Sequence, residues 1–99
     1  MPVVMRMEWA EATPEQYEQV REAVGWEREV PPGAIFHVAW FTEAGLNVVD
    51  VWESAEQFQA FTDGRLMPGI AQIGGIEGEP VIRIEPATAV FNPAVLAAA

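Results

Sequence analysis

The stretch AIFHVAWFTEAGLNVVDVWES, residues 34–54, reads as two strands, a turn and the start of a helix. Ala34 to Phe41 and Leu46 to Trp52 are short apolar runs rich in β-branched and aromatic residues, which suits strands. Thr42-Glu43-Ala44-Gly45 between them is short enough for a hairpin. Ser54 follows directly, with Gln57 three positions on, the spacing of a capping box that opens a helix. Phe58 and Phe61 then form the apolar face of that helix.

Upstream, Val3 to Trp9 alternates, with Val3, Met5, Met7 and Trp9 on one face and Val4, Arg6 and Glu8 on the other, which predicts a strand. Thr13-Pro14-Glu15-Gln16 is a second capping box with proline at the first helical position. Tyr17, Val20 and Val24 make one apolar stripe and Gly25 a stop, so a helix is expected over Pro14 to Val24. Pro31-Pro32-Gly33 launches the next strand. Downstream, Gly64 is a candidate helix breaker, with an irregular or second short helix over Arg65 to Ile73 ended by Gly74-Gly75. Strand four is expected over Val81 to Glu85, divided by Pro86 from a further extended piece, Thr88 to Phe91. The Ala-rich tail, residues 92–99, is expected to fray.

The order is strand, helix, strand, strand, helix, strand. It predicts a single α+β domain over residues 1–99, of ferredoxin-like βαββαβ type. Its antiparallel sheet has strand order 4-1-3-2, with both helices on one face. The other face carries too many apolar residues to be left wet, so a second copy of the chain is expected to cover it.

Composition narrows the function classes. A net charge of −10, with five Arg and no Lys, repels phosphate backbones and argues against nucleic-acid partners. It disfavours anionic membranes and nucleotide cofactors equally, and keeps a chain that is 51% hydrophobic in solution. With no Cys there is no disulfide, thiolate nucleophile or cysteine-held zinc. With no Lys there is no Schiff base, and a single His makes no within-chain histidine cluster. The N-terminus has no basic-then-apolar leader pattern, and no apolar run reaches membrane-spanning length, so a cytoplasmic setting is expected.

The hairpin register decides which side chains meet. Pairing Phe41 with Leu46 sets His37 opposite Asp50, Ala39 opposite Val48 and Ile35 opposite Trp52. A three-residue loop with Gly45 in a bulge shifts this by one and moves Asp50 to the other face. The first register is preferred because it joins the two ionisable residues. It leaves Phe36, Val38, Trp40, Val49 and Val51 on the second face, which suits packing on helices. The helix-distal face is then expected to hold His37 and Asp50, with Arg83 and Arg6, among Phe41, Val48 and Trp52. A few polar groups in an apolar concavity is the usual composition of a small-molecule site.

His37-Val38-Ala39, followed by Val49-Asp50-Val51-Trp52-Glu53-Ser54 and Phe58, resembles the dimeric α+β barrel proteins, and within them the antibiotic biosynthesis monooxygenase-type domains. The resemblance implies a homodimer whose two sheets close into a barrel. It implies that some relatives oxidise polycyclic phenols with molecular oxygen and neither metal nor flavin, and that others degrade haem.

The leading functional expectation is therefore a cofactor-independent monooxygenase-like enzyme, or an isomerase or cyclase using the same base. His37 takes an acidic proton from an aromatic or polyketide-like substrate in the barrel cavity. Asp50 orients it, and Arg83 or Arg6 stabilises the resulting anion. Haem binding through His37 and a non-catalytic ligand-binding or dimerisation module are the alternatives. Each residue also has a structural reading: a satisfied core histidine, an Asp50 paired to an arginine, a Trp52 in the core, a Tyr17 packed on helix one, a Ser54 that only caps.

Overall fold

The computed structural model describes residues 1–93. Its elements are β1 (Val3–Trp9), α1 (Pro14–Val24), β2 (Ala34–Thr42), β3 (Gly45–Trp52), α2 (Ala55–Phe61), a π-helical turn (Thr62–Leu66), α3 (Met67–Gln72) and β4 (Val81–Pro86). The four strands form one antiparallel sheet in order β2-β3-β1-β4, which is the expected 4-1-3-2 arrangement. Crossovers between parallel strands such as β1 to β2 and β3 to β4 are right-handed as a rule, and this brings both helical segments to one face.

Local chemistry explains the helix boundaries. Thr13 accepts from the Gln16 amide at 3.1 Å while the Gln16 side chain accepts from the Thr13 amide at 3.0 Å. This complete capping box satisfies two donors that the first turn leaves without partners. Gly25 ends α1 at φ 66°, a left-handed conformation that a Cβ disfavours. Ser54 caps α2 by accepting from the Gln57 amide at 3.1 Å. Its own hydroxyl turns to the Gln57 side-chain oxygen, so this box is not reciprocal. Gly64 does not break the helix. It lies in the π turn, which carries the axis from α2 into α3.

Two expectations about strands need correction. Thr88 to Phe91 is not a strand. The ladder stops at Pro86, which has no amide hydrogen, and the Ala87 amide closes it on the Pro2 carbonyl at 2.9 Å. The tail beyond residue 93 lies outside the described residues. In the hairpin, the preferred register holds from His37–Asp50 through Phe41–Leu46. At its far end a bulge between Ala34 and Phe36 pairs Ala34, not Ile35, with Trp52. Gly45 pairs with Thr42 and takes φ 108°, and a Cβ there would stand 2.6 Å from the Trp9 carbonyl oxygen.

The β1–β3 register decides which face is the core. It sets Met5 opposite Asp50, Met7 opposite Val48 and Trp9 opposite Leu46. These side chains are buried together with Val20 of α1, Phe58 of α2 and Ile70 of α3. The helices therefore cover the face that carries His37 and Asp50, the reverse of the expected arrangement. Phe36, Val38 and Trp40 lie on the helix-distal face and are exposed. Arg6 and Arg83 are cross-strand neighbours on that same distal face.

Candidate functional site

Asp50 is the single buried charged residue among the described residues. Burying a carboxylate is costly unless it is hydrogen-bonded. Here both oxygens have partners: His37 Nδ1 stands 2.6 Å from Oδ1, and Trp52 Nε1 donates to Oδ2 at 3.1 Å. The other nitrogen of the ring, Nε2, is 2.7 Å from the Tyr17 hydroxyl. An ionised carboxylate only accepts, so neutral His37 carries its proton on Nδ1 and accepts from Tyr17 through Nε2. The result is a continuous chain, Tyr17–His37–Asp50–Trp52, drawn from α1, β2 and β3.

Aromatic contacts hold this chain in place. The Tyr17 and His37 rings are nearly parallel, 2° between planes at a centroid distance of 6.2 Å. Trp26 tilts against His37 at 5.4 Å and meets Tyr17 edge-on at 6.0 Å. Phe41 also stands edge-on to Tyr17, at 6.3 Å. Trp26 is itself fixed by the turn after α1. The amides of Arg28 and Glu29 bond to the Gly25 carbonyl, while Arg21 pairs with Glu27 and Arg28 with Glu22. At the other end, Trp52 packs on Phe58 and Phe61 at 5.6 and 5.4 Å.

A cavity of about 240 Å³ opens beside this chain, between the sheet and the helices. Met5, Met7, Leu46 and Val48 form its floor, Val20, Phe61 and Leu66 its roof, and Trp26, Pro31 and Ile35 a further wall. Tyr17, His37, Asp50 and Trp52 also contribute to its lining. The His37 side chain keeps 33% of its surface exposed, so the ring is only partly covered while its carboxylate partner is buried.

Of the seven residues expected from sequence, His37, Asp50, Val48 and Trp52 line this cavity. Phe41 packs edge-on against Tyr17 and is not among the lining residues. Arg6 and Arg83 are on the far side of the sheet, where Arg6 pairs with Glu85 at the surface. No arginine lines the cavity among the described residues, so an anion formed there has no guanidinium to stabilise it. This cavity lies under the chain's own helices, whereas the expected one lies on the helix-distal face. From sequence, Tyr17 has only a packing role on the first helix and Trp26 has no assigned place. Tyr17 was detectable as the one polar-tipped member of the α1 stripe, but only after that stripe is known to face His37.

Nothing in the donor set among the described residues favours haem. Both His37 nitrogens are engaged within the chain, and no arginine lies on the wall among the described residues to meet a propionate.

Burial raises the Tyr17 hydroxyl above its ordinary 10.0; Arg21 opposes the rise, while Glu18, Asp50 and Glu27 add to it. The folded chain therefore keeps this proton where the unfolded chain has lost it. Stability is expected to fall as pH climbs past 10.0. The chain has one Tyr, no Lys and no Cys, so little else titrates between about pH 9 and 11. Denaturant midpoints across that range are expected to decline in the wild type and to stay flat in Tyr17→Phe. Equal slopes in the two proteins would mean that Tyr17 ionises as freely folded as unfolded.

No protein-family model matches the chain, and no curated protein sequence matches it. Among solved structures, a dimeric ferredoxin-like protein of unknown function from Thermobifida fusca YX superposes with TM-score 0.64 at 18% identity, covering 88% of this chain and 92% of that one. A Caulobacter crescentus CB15 protein, provisionally named an antibiotic biosynthesis monooxygenase, gives TM-score 0.63 at 18% identity, covering 89% of each chain. A variant of SnoaB, a cofactor-independent oxygenase from Streptomyces nogalater, gives 0.59 at 15% identity, covering 90% of this chain and 94% of that one. At these identities the likeness is one of architecture, and the chain has the ferredoxin-like fold that these proteins share.

Proposed function

We propose that this chain is a small-molecule enzyme of the cofactor-independent monooxygenase-like type, with His37 as its base. The observation that carries the reading is an imidazole oriented by a buried carboxylate in the wall of a mostly apolar cavity. Asp50 holds the Nδ1–H tautomer and stabilises the imidazolium that forms when Nε2 gains a proton. The apolar, aromatic walls suit a flat, uncharged phenol or polyketide-like compound. Loss of its acidic proton leaves an electron-rich anion able to reduce dioxygen. In a net monooxygenation a CH2 group becomes C=O, one oxygen atom enters the product, and the other leaves as water with the two hydrogens. The name of SnoaB, a cofactor-independent oxygenase, supports this chemistry for the fold.

The test is oxygen uptake by the purified protein, with no cofactor added, on a panel of uncharged polycyclic phenols. Uptake above the protein-free rate is expected for at least one of them. Substrate turnover without oxygen uptake would replace oxygenation by isomerisation or cyclisation on the same base.

The chain is also proposed to work as a homodimer. Phe36, Val38 and Trp40 expose 54%, 39% and 45% of their surface on the helix-distal sheet face, an apolar patch that gains from being covered. The Thermobifida fusca neighbour is described as dimeric. Val38 pairs with Val49 at the centre of the hairpin on this face, so Val38→Asp places a charge where a second sheet would pack. Sedimentation at micromolar concentration is expected to show a dimer for the wild type and a monomer for this variant. A wild-type monomer under those conditions would remove the proposal.

A further inference from the structure

If His37 is the base, as proposed above, the geometry raises the question of how a substrate reaches it. Neither imidazole nitrogen is open: Nδ1 is bonded to Asp50 at 2.6 Å and Nε2 to the Tyr17 hydroxyl at 2.7 Å. We propose that Tyr17 is the group that meets the substrate's acidic hydroxyl, relaying its proton to His37 and then holding the oxyanion left behind. The substrate O–H bond breaks as its proton joins Tyr17 Oη. The original Tyr17 proton passes to His37 Nε2. The net change is one proton moved from substrate to imidazole, giving an imidazolium next to the Asp50 carboxylate and a substrate anion next to a neutral tyrosine.

Three features support the relay. A hydroxyl that donates to Nε2 still has lone pairs to accept a second hydrogen bond, and Tyr17 borders the cavity. Its ring packs edge-on against both Trp26 and Phe41 and is parallel to the His37 ring to within 2°, so the proton path is set before substrate arrives. The wall also lacks a guanidinium, and the renewed Tyr17 O–H supplies the donor that the oxyanion needs. Burial holds the Tyr17 proton in place, which suits a group that passes protons on and stays neutral. The same wall defines the ligand class: planar, uncharged before reaction, with one acidic hydroxyl and no carboxylate or phosphate.

The experiment uses 4-nitrophenol, whose phenolate absorbs visible light and whose phenol does not. It is added at a pH where the free probe is mostly un-ionised. Wild type is expected to bind it as the phenolate. Tyr17→Phe is expected to lower the bound phenolate roughly ten- to hundredfold, the loss of one hydrogen bond to a charged group. His37→Gln should abolish it. Because the chain has a single Tyr, 3-fluorotyrosine incorporated at position 17 gives one ¹⁹F line. That line is expected to shift on probe binding, with phenolate formation retained. Phenolate formation that survives Tyr17→Phe and is lost in His37→Gln overturns the relay while leaving His37 as a direct base. An unmoved ¹⁹F line at saturating probe overturns the relay even if Tyr17→Phe misfolds. Wild type that forms no bound phenolate overturns both readings.

Discussion

Replacing His37 with glutamine is expected to lower kcat/KM for a phenolic substrate by about 10²–10⁴-fold with the fold intact. Glutamine is close to histidine in reach, and its amide can still donate to Asp50 and bond to the Tyr17 hydroxyl, so the buried carboxylate keeps a partner. What it cannot do is take up a proton at neutral pH. The loss is expected in kcat, with KM changed little, because the side chain removed acts on the proton in flight rather than on the apolar body of the substrate. Asp50→Asn should produce a smaller fall. An amide in place of the carboxylate can still hold a hydrogen bond to the ring, but no longer enforces the Nδ1–H tautomer or stabilises the imidazolium. Steady-state kinetics on any substrate found by oxygen uptake would decide this. Unchanged turnover in His37→Gln would take the imidazole out of the mechanism.

Trp52→Ala is expected to cost about 3–5 kcal/mol of stability. Trp52 is only 3% exposed, and its ring packs on Phe58 and Phe61. Truncation empties that volume beneath α2 and also strips Asp50 Oδ2 of its donor. Domains of this size have about 5–15 kcal/mol in all, so the variant should sit close to unfolding at room temperature. Trp52→Phe separates the two contributions. It keeps most of the packing and loses the indole N–H, leaving an under-satisfied buried carboxylate at a cost of about 1–3 kcal/mol. Urea midpoints of the two variants provide the comparison. If Trp52→Phe were as damaging as Trp52→Ala, the hydrogen bond to Asp50 rather than the ring would be the dominant contribution.

The site sits where sequence patterning is ambiguous. Strands β2 and β3 are apolar on both faces, so alternation separates Phe36, Val38 and Trp40 from His37, Ala39 and Phe41 without saying which set the helices cover. The question is settled by β1. Its Met5, Met7 and Trp9 are far more apolar than Arg6 and Glu8, and the cross-strand register joins the first set to Asp50, Val48 and Leu46. That register involves residues more than 35 positions apart and leaves no local trace. The wrong assignment of the covered face also placed Arg6 and Arg83 in the site and left Tyr17 out.

The amino-acid sequence by itself determined the element order and the capping of both main helices, and it narrowed the partner of His37 to two hairpin registers, of which the preferred one, with Asp50 opposite, is the one observed. Each follows from local chemistry or short-range pairing: a threonine or serine ahead of a glutamine, a glycine at a left-handed stop, a short hairpin connection that allows only neighbouring registers. Only the tertiary structure decided which face of the sheet is roofed, that this cavity lies under the chain's own helices, and that Tyr17 and Trp26 close around the imidazole. Those outcomes depend on long-range register and on the crossover of helices above the sheet. Their driving force is the burial of the most apolar face as a whole, a property that no single segment carries.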